Sequence, residues 1–171
     1  MWSTWPATAG NRAAMTAKLV FLSHIHEEAA LATIIKDALV DEFGGFVDVF
    51  QSSDDATIPA GYKWFQKIER GLVDCAGAVF LISPASVNRN WINFELGAVW
   101  IRNVIANDAG QPSIPTSPMC HSGMTPATLP TPTNYLNAVS ANDAAKLAGA
   151  FTAVTFPPKA KVWRVKGERV S

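Results

Sequence analysis

The chain has few of the features that define specialised protein classes. Only two of its 171 residues are cysteines, Cys75 and Cys120. Neither has the spacing of metal ligands, so the sequence argues against a disulfide framework and a zinc module. Reduced thiols are typical of the cytosol, and we expect a cytoplasmic protein. No apolar run is long enough to cross a membrane, and no signal peptide is recognisable.

An excess of charge is also missing. The formal net charge is zero, with 14 basic and 14 acidic residues, so we expect no nucleic-acid partner. The basic residues are unevenly placed, because five of them follow Thr155, against one acid. We interpret residues 155–171 as a basic tail or linker, after which a longer parent chain would carry further domains. Residues 1–16 are predicted to be a disordered extension.

What the sequence does contain is an alternation of apolar runs and helical periodicity. The predicted strands are Lys18–Ser23, Phe46–Phe50, Ala76–Ser83, Ser113–Met119 and Tyr135–Val139. The predicted helices are Glu27–Phe43, Tyr62–Val73, Trp91–Val104 and Asn142–Val154, the last with Asn142 as N-cap. This order predicts one α/β domain over residues 17–154, a flavodoxin-like open parallel sheet of about five strands with helices on both faces.

Three polar loops, residues 23–27, 51–61 and 83–90, follow predicted strands. The carboxyl ends of parallel strands are where such sheets bind ligands. Trp91 and Glu95 open the third helix at positions i and i+4, which share one face. An aromatic ring beside a carboxylate suits a nucleoside, because the ring stacks on a base and the carboxylate holds ribose hydroxyls. In the simpler alternatives, Glu95 supports the helix start and Trp91 covers the edge of the core.

Three segments in this order resemble the boxes of bacterial TIR (Toll/interleukin-1 receptor) domains. The first is Val20–His24 with Glu27 and Glu28. The second is Val49–Ser52, followed by Ile58, Gly61 and Trp64. The third is Leu81–Pro84, followed by Trp91–Gly97. A later Cys120-His121-Ser122-Gly123 with Leu129-Pro130 also looks like bacterial members, so the resemblance covers roughly residues 18–154.

The resemblance implies a TIR fold and an enzyme that cleaves the nicotinamide–ribose bond of NAD⁺, as hydrolase or cyclase, in bacterial antiphage defence. NAD⁺ is then the substrate, with no cofactor and no metal. The catalytic glutamate of the family falls on Glu95. The residues expected to bind the substrate are Trp91, Ser23, His24, His26, Ser53, Asp54 and Trp64.

Other functions are alternatives to this one. A non-enzymatic TIR adaptor would act through TIR–TIR contacts, and a nucleoside-processing transferase would also use a glutamate. A phospho-receiver domain needs an aspartate where this chain has Ser83-Pro84, and is excluded. The third helix is apolar nearly all round, so we expect self-association through this helix and the loop from Gln51 to Gly61.

Overall fold

The computed structural model describes residues 17–53 and 62–143, together with Lys146, Gly149, Ala150 and Thr152. The predicted extension and basic tail lie outside the described residues, and the domain limits stay a prediction. Residues 54–61, which include Asp54 and Ile58, also lie outside them. Among the described residues, no helix combines the length and apolarity needed to cross a membrane.

Strands and helices alternate along the described chain. The strands are β1 (Lys18–His24), β2 (Val47–Ser53), β3 (Gly77–Ile82), β4 (Thr116–Cys120) and β5 (Val139–Ser140). The helices are α1 (Ala29–Glu42), α2 (Tyr62–Asp74) and α3 (Asn90–Asp108). Three short 3₁₀ turns span His26–Glu28, Pro126–Thr128 and Thr133–Tyr135.

All strand pairs in the sheet are parallel, and the strand order is β2-β1-β3-β4-β5. The order reverses direction between β1 and β3, which makes the carboxyl end of β1 the place where this type of sheet opens a crevice. The predicted fold class, a flavodoxin-like parallel sheet, is confirmed.

Helices cover both faces of the sheet because side chains alternate along each strand. Val20 and Leu22 of β1 pack on one face with Ile35 and Leu39 of α1. Phe21, between them in sequence, packs on the opposite face. The buried residues of that second cluster come mainly from β1, β3, α2 and α3, and include Phe80, Ile68, Leu72, Ile92, Leu96 and Val99.

Several predicted boundaries were wrong. β2 continues through Gln51, Ser52 and Ser53, which were predicted from the sequence to belong to a polar loop. The predicted strand Tyr135–Val139 shares only Val139 with β5, because Tyr135 belongs to a 3₁₀ turn. Pro132 directly precedes this turn, and proline favours turns over strands.

The end of the chain gives a further correction. The predicted cap Asn142 is replaced in this role by Asp143, whose Oδ1 accepts the Lys146 N–H at 3.0 Å. The described residues Lys146, Gly149, Ala150 and Thr152 are helical. From residue 144 to residue 154, the other residues of the predicted last helix lie outside the described part of the chain.

Arg102 of α3 fixes the position of α3 beside α2. Its Nη1 donates hydrogen bonds of 2.9 Å to the carbonyl oxygens of Leu72 and Cys75, at the C-terminal end of α2. These carbonyls have no partner within the helix, and the helix dipole favours a cation there. Burial raises the pKa of the Cys75 thiol, and the Arg102 guanidinium opposes this shift.

Candidate functional site

Two serines lie side by side at the carboxyl ends of β1 and β2. The parallel register pairs Ser23 with Ser52, and both residues are buried, with 0% and 2% of their surface exposed. Each serine ends a similar run, Val20-Phe21-Leu22-Ser23 in β1 and Val49-Phe50-Gln51-Ser52 in β2. The two hydroxyls therefore reach the same face of the sheet at its ligand-binding edge.

Both hydroxyls donate to the carboxylate of Glu95. Ser23 Oγ donates to Oε2 at 2.5 Å, and Ser52 Oγ donates to Oε1. Glu95 lies in the second turn of α3 and is fully buried. Because a buried carboxylate without donors is strongly destabilising, the two serines account in part for how the protein keeps this group in its interior.

Trp91, one turn before Glu95, reaches the same serine. Its indole Nε1 donates to Ser52 Oγ at 3.4 Å. The positions i and i+4 of α3 therefore converge on one residue of β2, as the shared helix face requires. Trp91, Ser52 and Glu95 form a single hydrogen-bonded chain.

Aromatic rings surround Trp91. Trp64 of α2 stacks on it with a centroid distance of 5.1 Å, and Phe94 stacks on it at 5.6 Å. Phe65 contacts it edge-on at 6.3 Å. Trp91 is half-buried and already stacks on two protein rings, whereas Trp64, also half-buried, lies at one end of the row. The base-stacking role predicted for Trp91 and the substrate contact predicted for Trp64 stay predictions.

The two predicted histidines differ in their surroundings. His24 ends β1, pairs in register with Ser53, and is buried, with its Nδ1 at 2.8 Å from the carbonyl oxygen of Ile25. Because a carbonyl oxygen only accepts hydrogen bonds, Nδ1 is the ring nitrogen that donates in this contact. His26 is exposed and begins the 3₁₀ turn. Ser53 ends β2, and its buried Oγ has no hydrogen-bond partner among the described residues.

A second buried carboxylate joins three further segments of the same sheet edge. Glu28 accepts the Ile25 N–H at 3.2 Å and the Ser83 hydroxyl at 2.7 Å. His121 Nε2 lies 3.0 Å from Glu28 Oε1, without the alignment of a hydrogen bond. Glu28 therefore holds together the start of α1, the end of β3 and the loop after β4.

Sequence reasoning missed Ser52 and gave Glu28 and His121 no role beyond the resemblance. The repeated Val-Phe-x-Ser run was the available signal for Ser52, because aligning the two runs pairs the serines. No comparable signal links Glu28 to His121, which are far apart in sequence. Among the described residues, no group of three or more histidines, cysteines or acids has the arrangement of a metal site.

The TIR domain family profile matches residues 20–148. This chain belongs to the TIR domain family. The TIR boxes named from the sequence lie where β1, β2 and β3 end, around Glu95 and Glu28. No curated protein matches the chain at a significant level.

Solved structures share the fold of this TIR domain. A metazoan TIR-STING receptor from C. gigas in complex with 2′,3′-cGAMP aligns with a TM-score of 0.56 and 21% identity, over 84% of this chain and 41% of the receptor chain. A second structure of a metazoan TIR-STING receptor from C. gigas aligns with a TM-score of 0.53 and 20% identity, over 82% of this chain and 41% of the receptor chain. The chain thus spans less than half the length of these receptors.

Proposed function

We propose that this TIR domain cleaves the nicotinamide–ribose bond of NAD⁺, with Glu95 as the catalytic residue. The observation that supports the proposal is the buried Glu95 carboxylate at the carboxyl edge of the sheet, held by Ser23 and Ser52. Such a carboxylate, in a site that excludes water, is suited to stabilise positive charge that develops in a transition state.

The proposed reaction develops that charge on the ribose. As the bond between C1′ and the nicotinamide nitrogen breaks, nicotinamide leaves as a neutral molecule and the ribose becomes an oxocarbenium-like cation. Glu95 stabilises this cation and orients the ribose hydroxyls. Water then adds at C1′ and releases a proton, which gives ADP-ribose, or a base nitrogen adds and gives a cyclic isomer. NAD⁺ is the substrate, and the reaction needs no further cofactor.

Glu95 has no exposed surface, so contact with a ribose requires that a group covering it moves. An ionised carboxylate has about four lone-pair sites, so a ribose hydroxyl can donate to Glu95 while Ser23 and Ser52 keep their hydrogen bonds to it. Ser23, His24, His26, Ser53, Asp54 and Trp64 remain our candidates for substrate contacts beside Trp91.

Incubating the purified protein with NAD⁺ and measuring nicotinamide by chromatography tests the proposal. We expect turnover by the wild type, its loss in Glu95→Gln, and unchanged turnover in Glu42→Gln, which alters an exposed glutamate at the end of α1. Normal turnover by a folded Glu95→Gln variant would exclude the catalytic role. Nicotinamide riboside run in parallel tests for a nucleoside-processing enzyme, and mass spectrometry distinguishes linear from cyclic products.

We also propose that this cleavage serves antiphage defence, by depleting NAD⁺ or by producing a signal. Bacteria that express the wild type are expected to resist infection better than bacteria that express Glu95→Gln at the same level. Equal plaque counts for the two strains, across a panel of phages, would contradict this role without affecting the proposed chemistry.

Self-association is the second candidate function, and an exposed apolar stripe on α3 favours it. Phe94, Ile101 and Ile105 lie on one side of the helix and are 49%, 56% and 63% exposed. Val73 of α2 is 60% exposed and borders, with Ile101 and Ile105, a groove of about 280 Å³. An exposed apolar surface of this kind is typical of a protein-binding site.

An assembly through this stripe could also move the groups that cover Glu95, so activity per molecule is expected to rise with protein concentration. Ile105→Asp should reduce both the mass measured by light scattering and the turnover. Ile34→Asp, an equally exposed change on α1, should alter neither. Flat specific activity of a monomer across a wide dilution series would exclude assembly. Assembly without any NAD⁺ cleavage would support an adaptor.

A further inference from the structure

We propose that Ser52 is a positioning residue through which Trp91 acts on Glu95. On this view the tryptophan of the W-x-x-x-E pair contributes its indole N–H to the alignment of the carboxylate, in addition to any contact between its ring and the substrate. The inference rests on the proposed function for its kinetic consequences, but the hydrogen-bonded chain itself can be tested without any substrate.

The direction of the hydrogen bonds in this chain is fixed by chemistry. An indole N–H only donates, and a carboxylate only accepts, whereas a hydroxyl has one proton and can also accept. Ser52 therefore accepts from Trp91 Nε1 at 3.4 Å and gives its own proton to Glu95 Oε1. The Ser52 proton is committed to Glu95, and the indole N–H occupies a lone pair of the same oxygen, so Trp91 helps to hold Ser52 Oγ where it donates to the carboxylate. Serial hydrogen bonds in a buried site also polarise one another.

The neighbouring Ser23 offers a matched comparison. It donates to the other oxygen of the same carboxylate from the adjacent strand, and it is equally buried. Removal of either hydroxyl takes one donor from Glu95. Trp91 bonds to Ser52, so the Ser52 variant is the one expected to abolish the effect of the indole.

The kinetic test is a double-mutant cycle on Ser52→Ala and Trp91→Phe, with Ser23→Ala and Trp91→Phe as the comparison cycle. Phenylalanine keeps an aromatic ring in the stack and removes the N–H. A lost hydrogen bond to a charged group predicts that Ser52→Ala lowers kcat by roughly tenfold to a hundredfold, with little change in KM. Ser52→Thr, which keeps the hydroxyl, should restore most of the loss.

Non-additivity is the decisive result. Trp91→Phe should lower kcat when Ser52 is present and have almost no further effect in the Ser52→Ala background, whereas it should retain its effect in the Ser23→Ala background. Equal effects in all backgrounds, or an effect on KM alone, would overturn the inference.

A spectroscopic readout separates this inference from the proposed function. The protein contains six tryptophans, so Trp91→Phe identifies the Trp91 indole N–H signal in a ¹H–¹⁵N spectrum by its disappearance. We expect Ser52→Ala to shift that signal markedly and Ser23→Ala to shift it much less. An unshifted signal in folded Ser52→Ala would refute the hydrogen-bonded chain. A shifted signal in a protein that does not cleave NAD⁺ would refute the proposed function alone.

Discussion

Two adjacent glutamates at the start of α1 give a direct test of how the sheet edge is held together. Glu28 is buried and bonds to Ser83 and to the Ile25 N–H. Glu27 is exposed and pairs with Arg89 at 3.0 Å, where the two side chains are 60% and 46% exposed. Both residues lie in the 3₁₀ turn that leads into α1, so the dipole of α1 acts on both from the same end. The difference in the free energy of unfolding between Glu28→Ala and Glu27→Ala therefore measures the contribution of the buried hydrogen bonds of Glu28.

The expected difference follows from the hydrogen bonds that each change breaks. Glu28→Ala leaves the Ser83 hydroxyl and the Ile25 N–H without their buried acceptor, at about 1–3 kcal/mol each. His121 also loses its partner at 3.0 Å. The free energy of unfolding should therefore fall by about 3–5 kcal/mol, within the sum of these two losses. An exposed pair contributes about 0–1 kcal/mol, so Glu27→Ala should change little.

Thermal and urea unfolding followed by circular dichroism measure both variants. For a domain of this size, we expect Tm to fall by roughly 6–20 °C for Glu28→Ala and by less than about 4 °C for Glu27→Ala. The small effect of Glu27→Ala should shrink further in high salt. If Glu28→Ala does not fold, Glu28→Gln, which keeps the size and one acceptor, provides a milder step. Equal stability losses for the two alanine variants would refute the role given to Glu28.

Three further predictions concern the stability of the fold. A Cβ at Gly71 would lie 3.1 Å from Phe50 and 3.2 Å from Phe21, whereas one at Gly97 meets nothing within 4 Å. Gly71→Ala should therefore lower the free energy of unfolding by about 1 kcal/mol, and Gly97→Ala should raise it by about 0.5–1 kcal/mol, with urea midpoints as the measurement. Burial raises the pKa of Cys120 from 9.0 to about 11, so the unfolded chain loses that proton first. Stability should fall between about pH 9 and 11, and less steeply in Cys120→Ala. Replacing Arg102 with Met should lower Tm by about 4–8 °C, because the Leu72 and Cys75 carbonyl oxygens lose their donor. An unchanged Tm would contradict the capping role of Arg102.

Much of the fold could be predicted because apolar periodicity records which side chains are buried. The alternation of Val20, Phe21 and Leu22 in β1 specifies a strand covered on both faces, and the structure confirms it. Polar residues at strand ends carry no such signal. Gln51 and Ser52 have the composition of a loop, yet they continue β2 because they pair with Leu22 and Ser23 of β1.

The geometry of the candidate site, as distinct from its function, was predicted in part for a similar reason. The spacing of Trp91 and Glu95 fixes their common helix face, whatever the rest of the chain does. Contacts between segments follow from strand register and helix packing, which no local pattern encodes. Three contacts of the site are of this kind, between segments distant in sequence: Ser52 with Glu95, Trp64 with Trp91, and His121 with Glu28.

The hydrogen bonds from Ser23 and Ser52 to Glu95 span 72 and 43 residues of sequence, which has a consequence for biosynthesis. A ribosome that has completed β1 and β2 has made both serines, but their acceptor is still to be translated. Contacts so distant in sequence form late, after the closure of large loops. Under the proposed function, a nascent or truncated chain cannot consume the NAD⁺ of the cell that makes it. The same distance in sequence would keep a potentially toxic activity silent until the sheet and α3 have assembled.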